Sequence, residues 1–243
     1  AGPAGMAAAH EAVNVGLKVV IIDEQDAPGG QIYRDVERVA MERRHDLDVL
    51  GADYKYGYGL VDGLHASRVT HLAGHTVWQI ERSGTVWCSD GKKAKQIDAK
   101  RVLLATGAME RPVPVPGWTL PGVMTAGAAQ ILMKSAGMVP DGPIAICGSG
   151  PLLLLIADQL VRAGADIAVV AETTSFTDYL RAAPHLLRAL KGADYLRKGI
   201  AMRRRLKESG IEIVSGISGL RVDGSDKAQG VSFKAGGRTR SFE

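Results

Sequence analysis

The stretch PIAICGSGPLLLLIADQLVRAGADIAVVAET, residues 143–173, constrains the fold of this 243-residue chain more than any other. Ile144, Ala145, Ile146 and Cys147 make a short apolar run, as a parallel strand buried on both faces requires. Gly148, Ser149 and Gly150 turn the chain sharply. Pro151 then stands where a first helical residue is favoured, because its missing N–H is not needed there. Residues 152–162 read as a helix with an apolar start, closed by Gly164 in the position of a C-terminal cap. A second strand is expected over 167–170, with Glu172 just beyond it. First-turn N–H groups facing a glycine turn attract a pyrophosphate. Gly148, Gly150 and Pro151 are therefore candidate phosphate contacts, with Glu172 a candidate ribose acceptor. The unit is half of a dinucleotide-binding fold.

The same logic recurs at the start of the chain, at a fixed offset of 148 (150 − 2). Gly2 and Pro3 match Gly150 and Pro151, Ala9 matches Ala157, Gly16 matches Gly164, and Glu24 matches Glu172. A helix of equal length separates a glycine turn from an apolar strand over 19–22. This copy begins inside its turn, since a G-x-G-x-x-G motif should follow a strand. The sequence therefore reads as a fragment without its first strand, and residues 219–242 end without a closing turn or helix. Gly5 occupies the third-glycine position, which lets a helix pack close to its sheet. Either Asp23 or Glu24, 18 and 19 residues after Gly5, could accept hydrogen bonds from ribose hydroxyls.

The copies differ at two positions. Leu153 stands where the second turn should have its third glycine, which is expected to push the helix from the sheet and narrow the pocket. Ala171 is the counterpart of Asp23, leaving Glu172 alone to hold a ribose.

Between the copies, Gly29 and Gly30 after Pro28 allow a close backbone approach to a ligand or form a surface turn. Residues 33–50 are polar and read as helical at least to His45, and 51–63, where glycines and tyrosines alternate, as irregular or short strands. Alternation over 69–73, 76–80, 85–89 and 94–98 predicts an antiparallel meander within 68–99. Trp78, Trp87 and Cys88 are expected to pack, and His65, His71 and His75 to be solvent or edge histidines without a metal. Residues 101–105 read as a buried strand ending at Thr106 and Gly107, and 111–117, with three prolines, as an extended crossing between domains. A helix is expected over 125–137, another over 176–190 broken at Pro184, and a third over 195–209. The third carries Arg197, Lys198, Arg203, Arg204, Arg205 and Lys207, a cluster able to bind a phosphate or a partner that reads rather as a solvated face. Residues 211–214 read as a strand and 219–242 as antiparallel.

Composition narrows the function classes. The chain has 30 glycines, above the roughly 7% usual share, which fits several tight strand-to-helix turns. A net charge of +4 is too mild to imply nucleic acid. No apolar run is long enough to cross a bilayer. The two cysteines, Cys88 and Cys147, offer neither a disulfide framework nor zinc spacing, and a cytoplasmic location with reduced thiols is expected.

Taken together, GPAGMAAA, IIDEQDAPGGQIYR, LLATGAMERPVPVPGW, GVMTAGAAQILMKSAG and CGSGPLLLLIADQL resemble, in order and spacing, the two-dinucleotide-domain flavoproteins. They are most similar to the large FAD-containing subunits of opine oxidase, hydroxyproline and proline dehydrogenase and hydrogen cyanide synthase, related to the sarcosine oxidase alpha subunit. The resemblance implies an α/β protein of two Rossmann-like domains in a glutathione-reductase-like arrangement with an antiparallel meander. Residues 1–116 would bind FAD, and 117–243 would form an inserted, C-terminally incomplete domain of the NAD(P)-binding type. Gly2, Pro3, Ala4 and Gly5 would lie against the FAD pyrophosphate and Asp23 or Glu24 on the adenosine ribose. Gly29, Gly30 and Gln31 would run beside the flavin's phosphate and ribityl chain, with Thr106 and Gly107 a second strand-end contact.

The disulfide reductases of this fold carry a redox cysteine pair, whereas here Gly30 is followed by Gln31, Ile32 and Tyr33. Thiol–disulfide exchange needs an attacking and a resolving sulfur, so a dithiol mechanism is not expected. The resemblance implies an FAD-dependent oxidoreductase acting on CH–NH bonds of an amine or imino-acid substrate such as an opine or hydroxyproline. It would belong to a hetero-oligomer with a smaller flavin-containing subunit and hold NAD(P) or another adenine nucleotide in its second domain. Two alternatives stand beside it: an NAD(P)H-dependent flavin reductase, and a nucleotide-binding scaffold subunit without catalysis of its own. No catalytic base is nameable from the residues.

Overall fold

The computed structural model describes residues 1–185 and 189–243. The chain divides into two compact units, Ala1–Met109 with Lys134–Gly137, and Glu110–Met133 with Met138–Glu243.

In the first unit, helix α1 (Pro3–Asn14) leads through Gly16, at φ 82°, into strand β1 (Val20–Ile22). β1 pairs in parallel with β2 (Thr70–Leu72), Ile21 opposite His71. The connection holds three helices, α2 (Val36–Glu42), α3 (Asp46–Leu50) and α4 (Ala52–His65). α4 replaces the irregular segment expected over 51–63. Its three glycines disfavour helix locally, but Tyr54, Gly57, Val61 and Leu64 form one buried face, and such packing overrides propensity. Gly57 has a steric reason: a β-carbon there would lie 2.2 Å from the Tyr33 ring.

The meander, expected with three or four strands, has three: β3 (Thr76–Ile80), β4 (Thr85–Ser89) and β5 (Ala94–Asp98), in the order β3–β4–β5. The alternating run over 69–73 belongs instead to the parallel pair. The strand expected over 101–105 does not form. Leu103 and Leu104 are 70% and 68% exposed, and the segment has no ladder partner among the described residues. An apolar run becomes a strand only where a neighbour supplies the ladder bonds. Trp78 is exposed rather than packed, Cys88 is fully buried, and His75 is buried rather than solvated.

In the second unit, helix α5 (Ala126–Ala136) begins after Thr125, whose hydroxyl accepts from the Ala128 N–H at 3.3 Å, and ends at Gly137, at φ 66°; its last three residues fall within the first unit. Strand β6 (Ile144–Gly148), helix α6 (Pro151–Arg162) and strand β7 (Ile167–Glu172) follow. Helix α7 (Phe176–Ala182) passes into a 3-10 turn containing Pro184; the continuation of the helix expected over 176–190 falls partly outside the described residues. Helix α8 (Ala193–Glu208) and strand β8 (Ile213–Ser215) complete a parallel sheet in the order β6–β7–β8. An antiparallel sheet of β9 (Ser218–Gly224), β10 (Ala228–Ala235) and β11 (Arg238–Phe242) closes the unit. The core joins Val169, Ala171 and Val214 of the parallel sheet to Ile217 and Phe233. Among the described residues, no helix is long and apolar enough to cross a membrane.

Candidate functional site

Each unit builds a glycine turn at a helix N-terminus beside a strand-end carboxylate. In the first, Gly2 caps α1 in an extended conformation, Pro3 opens the helix, and the first turn holds no acidic residue. No side chain caps this end, so the N–H groups face outward as an anion requires. The loop of Gly29 and Gly30 folds back on it: the Gly29 N–H donates to the Ala1 carbonyl at 2.9 Å. A β-carbon on Gly30, at φ 60°, would stand 2.8 Å from the Gly2 α-carbon, and one on Gly29 2.2 Å from the Tyr33 carbonyl oxygen. Only glycine permits this backbone-on-backbone approach. A β-carbon on Gly5 would lie 3.6 Å from that of Ala105, an ordinary contact. Ala4 is exposed, as are Thr106 and Gly107, and Gly107, at φ 75°, has open space around it.

The two sequence-adjacent acids separate here. Asp23 is half-buried against the turn, where one carboxylate oxygen accepts from the Gln25 N–H at 2.8 Å. Glu24 is exposed. The structure thus gathers Gly2, Gly29, Gly30 and Asp23 into one cluster and leaves Glu24 outside it.

Sequence reasoning missed Lys134. This buried lysine donates from Nζ to the carbonyl of Gln31 at 3.0 Å and lies 5.7 Å from the centre of the Tyr54 ring. Burial, and then the Arg34 charge, lower its pKa to about 8. It fixes the loop just beyond Gly30. No sequence signal marked it, because lysine in a helix usually faces water.

In the second unit, Gly148 and Gly150 have φ 154° and 88°, with Pro151 opening α6 and no acid in its first turn. Leu153 is buried and brings a δ-carbon to 3.5 Å from where a Gly148 β-carbon would stand, so it fills part of the space under the turn. Glu172 is the last residue of β7, in register with Gly148 on one side and Ser215 on the other. It is only 4% exposed. Its Oε2 accepts from the Ser215 hydroxyl at 2.9 Å and pairs with the Arg203 guanidinium. Burial of Cys147 beside the turn pushes its thiol up to about 11, so it stays protonated, and both cysteines are free.

The basic run on α8 is therefore not simply a solvated face. Arg205 grips the buried Asp158 of α6 through two bonds of 2.6 and 3.0 Å, and Arg162 adds a second cation at 3.0 Å. Arg204 pairs outward with Glu208. The available signal was Leu206, the buried position of α8, since Arg203, three places before it, lies on the same face.

The pyridine nucleotide-disulphide oxidoreductase family matches residues 1–241. The chain belongs to that family. Among its relatives, an opine oxidase subunit of Rhizobium meliloti is 44% identical over 98% of this chain and 46% of its own length. Hydrogen cyanide synthase subunit HcnB of Pseudomonas aeruginosa is 35% identical over 92% of this chain and 47% of its own length. The crystal structure of L-proline dehydrogenase from P. horikoshii superposes on the whole chain with a TM-score of 0.64 at 20% identity, covering 38% of that protein. The chain spans about half the length of the curated relatives it matches. The α/β architecture of Rossmann-type units with antiparallel sheets, expected from sequence, is the fold these proteins share. The matched relatives are named as subunits of multi-subunit enzymes.

Proposed function

We propose that the chain is part of an FAD-dependent oxidoreductase that acts on the CH–NH bond of an amine or imino acid, of the opine or hydroxyproline kind. It works within a cytoplasmic hetero-oligomer that includes a smaller flavin-containing subunit. The observation that carries this reading is the 44% identity to the opine oxidase chain over nearly the whole sequence. Residues 1–116 form the FAD-binding domain and 117–243 the NAD(P)-binding type.

The residues present fit FAD. The uncapped α1 N-terminus presents Gly2, Pro3, Ala4 and Gly5 to a pyrophosphate, and the Gly2–Gly30 approach keeps side chains out of its path. Asp23, fixed beside the turn, accepts the ribose hydroxyls; exposure counts against Glu24. Gly29, Gly30 and Gln31 line the route onward, the last held by Lys134, and Thr106 and Gly107 lie exposed. When bound, the flavin supplies the hydride-accepting chemistry, while the protein binds, orients and excludes water.

A second reading, an NAD(P)H-dependent reductase, draws on the second turn: Gly148, Gly150, Pro151 and Glu172 keep the outline of a nucleotide site. The visible spectrum of the full-length protein with its partner subunits separates the readings. Flavin absorption bleached anaerobically by an opine or hydroxyproline supports the first, and bleaching by NADH alone the second. A spectrum with no flavin rejects both and leaves a nucleotide-binding scaffold.

A further inference from the structure

We propose that Arg203 lets the ribose subsite of the second unit accept either a free 2′-hydroxyl or a 2′-phosphate, so that the site takes both NADH and NADPH. This rests on reading 117–243 as an NAD(P)-binding type of domain. In such domains a strand-end acid selects the ribose hydroxyls, whereas a nearby arginine accommodates the 2′-phosphate. Here the acid and an arginine are bound to each other.

The two oxygens of Glu172 have different surroundings. Oε2 is engaged by Arg203 and by the Ser215 hydroxyl, while no hydrogen bond from the described residues reaches Oε1. The carboxylate is thereby locked in one orientation with an acceptor left for a ribose hydroxyl. A solitary buried carboxylate would repel a 2′-phosphate; one already neutralised by Arg203 does not. The Arg203 side chain is 33% exposed, and a guanidinium has five donors in a fixed fork. It can hold Glu172 and still donate to a phosphate. Arg203 also lines a shallow cavity of about 330 Å³ together with Ile200, Arg204, Lys207 and Glu208. It thus joins the strand-end acid to a surface with two more cations. A purely structural bridge would give Arg203 no bearing on which ribose binds.

The test is calorimetric titration of the full-length protein, purified with its partner subunits, using 5′-AMP and 2′,5′-ADP, which differ by the 2′-phosphate. In the wild type the two should bind within about tenfold of each other. Arg203→Met should weaken 2′,5′-ADP about tenfold or more beyond its effect on 5′-AMP, and Arg203→Lys should restore part of that loss. Because methionine leaves Glu172 without its cation, the double variant Arg203→Met with Glu172→Gln is titrated in parallel; it should fold and show the same lost tolerance for the phosphate. Equal weakening of both ligands by Arg203→Met, or a wild type that prefers 5′-AMP by about a hundredfold, overturns the role of Arg203. A wild type that binds neither ligand overturns the reading of the domain itself, and this proposal with it.

Discussion

The two turn-helix-strand copies have the same outline and solve the same electrostatic problem differently. In the first, Gly5 keeps the third-glycine position, Gly30 presses on Gly2, and Asp23 accepts from the Gln25 backbone N–H. In the second, Leu153 fills space under the turn, and the buried Glu172 is held by side chains, Arg203 and Ser215. Packing has been optimised in the second copy, whereas close backbone approach has been kept in the first. A complete-looking turn is therefore a better guide to fold than to ligand.

Substitutions at one glycine of each site should break this contrast most sharply. Gly30→Val places a branched side chain at φ 60° against the Gly2 backbone, which should destabilise by about 3 kcal/mol or more and abolish flavin retention. Gly150→Ala meets open space, but at φ 88° and ψ 176°, leaving backbone strain alone, on the order of 2 kcal/mol. Thermal unfolding and flavin content per chain report both. At the third-glycine position the order reverses. Leu153→Ala empties a buried site, with an expected loss of about 3 kcal/mol, while Gly5→Ala makes only an ordinary contact with Ala105 and should change stability by about 1 kcal/mol at most. Denaturant titration of the four variants tests the ranking.

Much of this was legible in sequence wherever local chemistry decides. Gly150 with Pro151, Gly2 with Pro3, and the caps at Gly16, Gly137 and Gly164 mark helix ends because positive φ and a missing N–H act on single residues. What could not be read depended on partners distant in sequence. The glycines of α4 argued against helix until Tyr33 supplied the surface that Gly57 packs against. Residues 101–105 carry strand chemistry, yet strandhood belongs to a ladder. The functional reading of Glu172 changed because Arg203, 31 residues later, reaches it.

A pH series sharpens the contrast through Lys134, which has no equivalent among the groups described around the second turn. Its folded pKa of about 8 lies below the ordinary 10.5. The unfolded chain therefore binds the extra proton between these values, and stability rises with pH there. The gain is on the order of 3 kcal/mol at most. Tyr54, whose pKa burial raises from 10.0, must stay protonated in the fold and opposes further gain above about pH 10. Melting curves from about pH 7 to 10 should show the wild type gaining on Lys134→Met across that window; parallel curves would contradict the burial of the ammonium. The smallest effect is expected at Arg204→Ala, which removes an exposed pair with Glu208 and should leave the melting temperature unchanged.

The central claim, that the first copy holds the flavin, is tested most directly by bound FAD per chain in full-length Asp23→Asn and Glu172→Gln, with both amides preserving shape. Asp23→Asn should retain FAD about tenfold more weakly, while Glu172→Gln should purify with flavin undiminished. Flavin lost from Glu172→Gln and kept in Asp23→Asn would contradict the account.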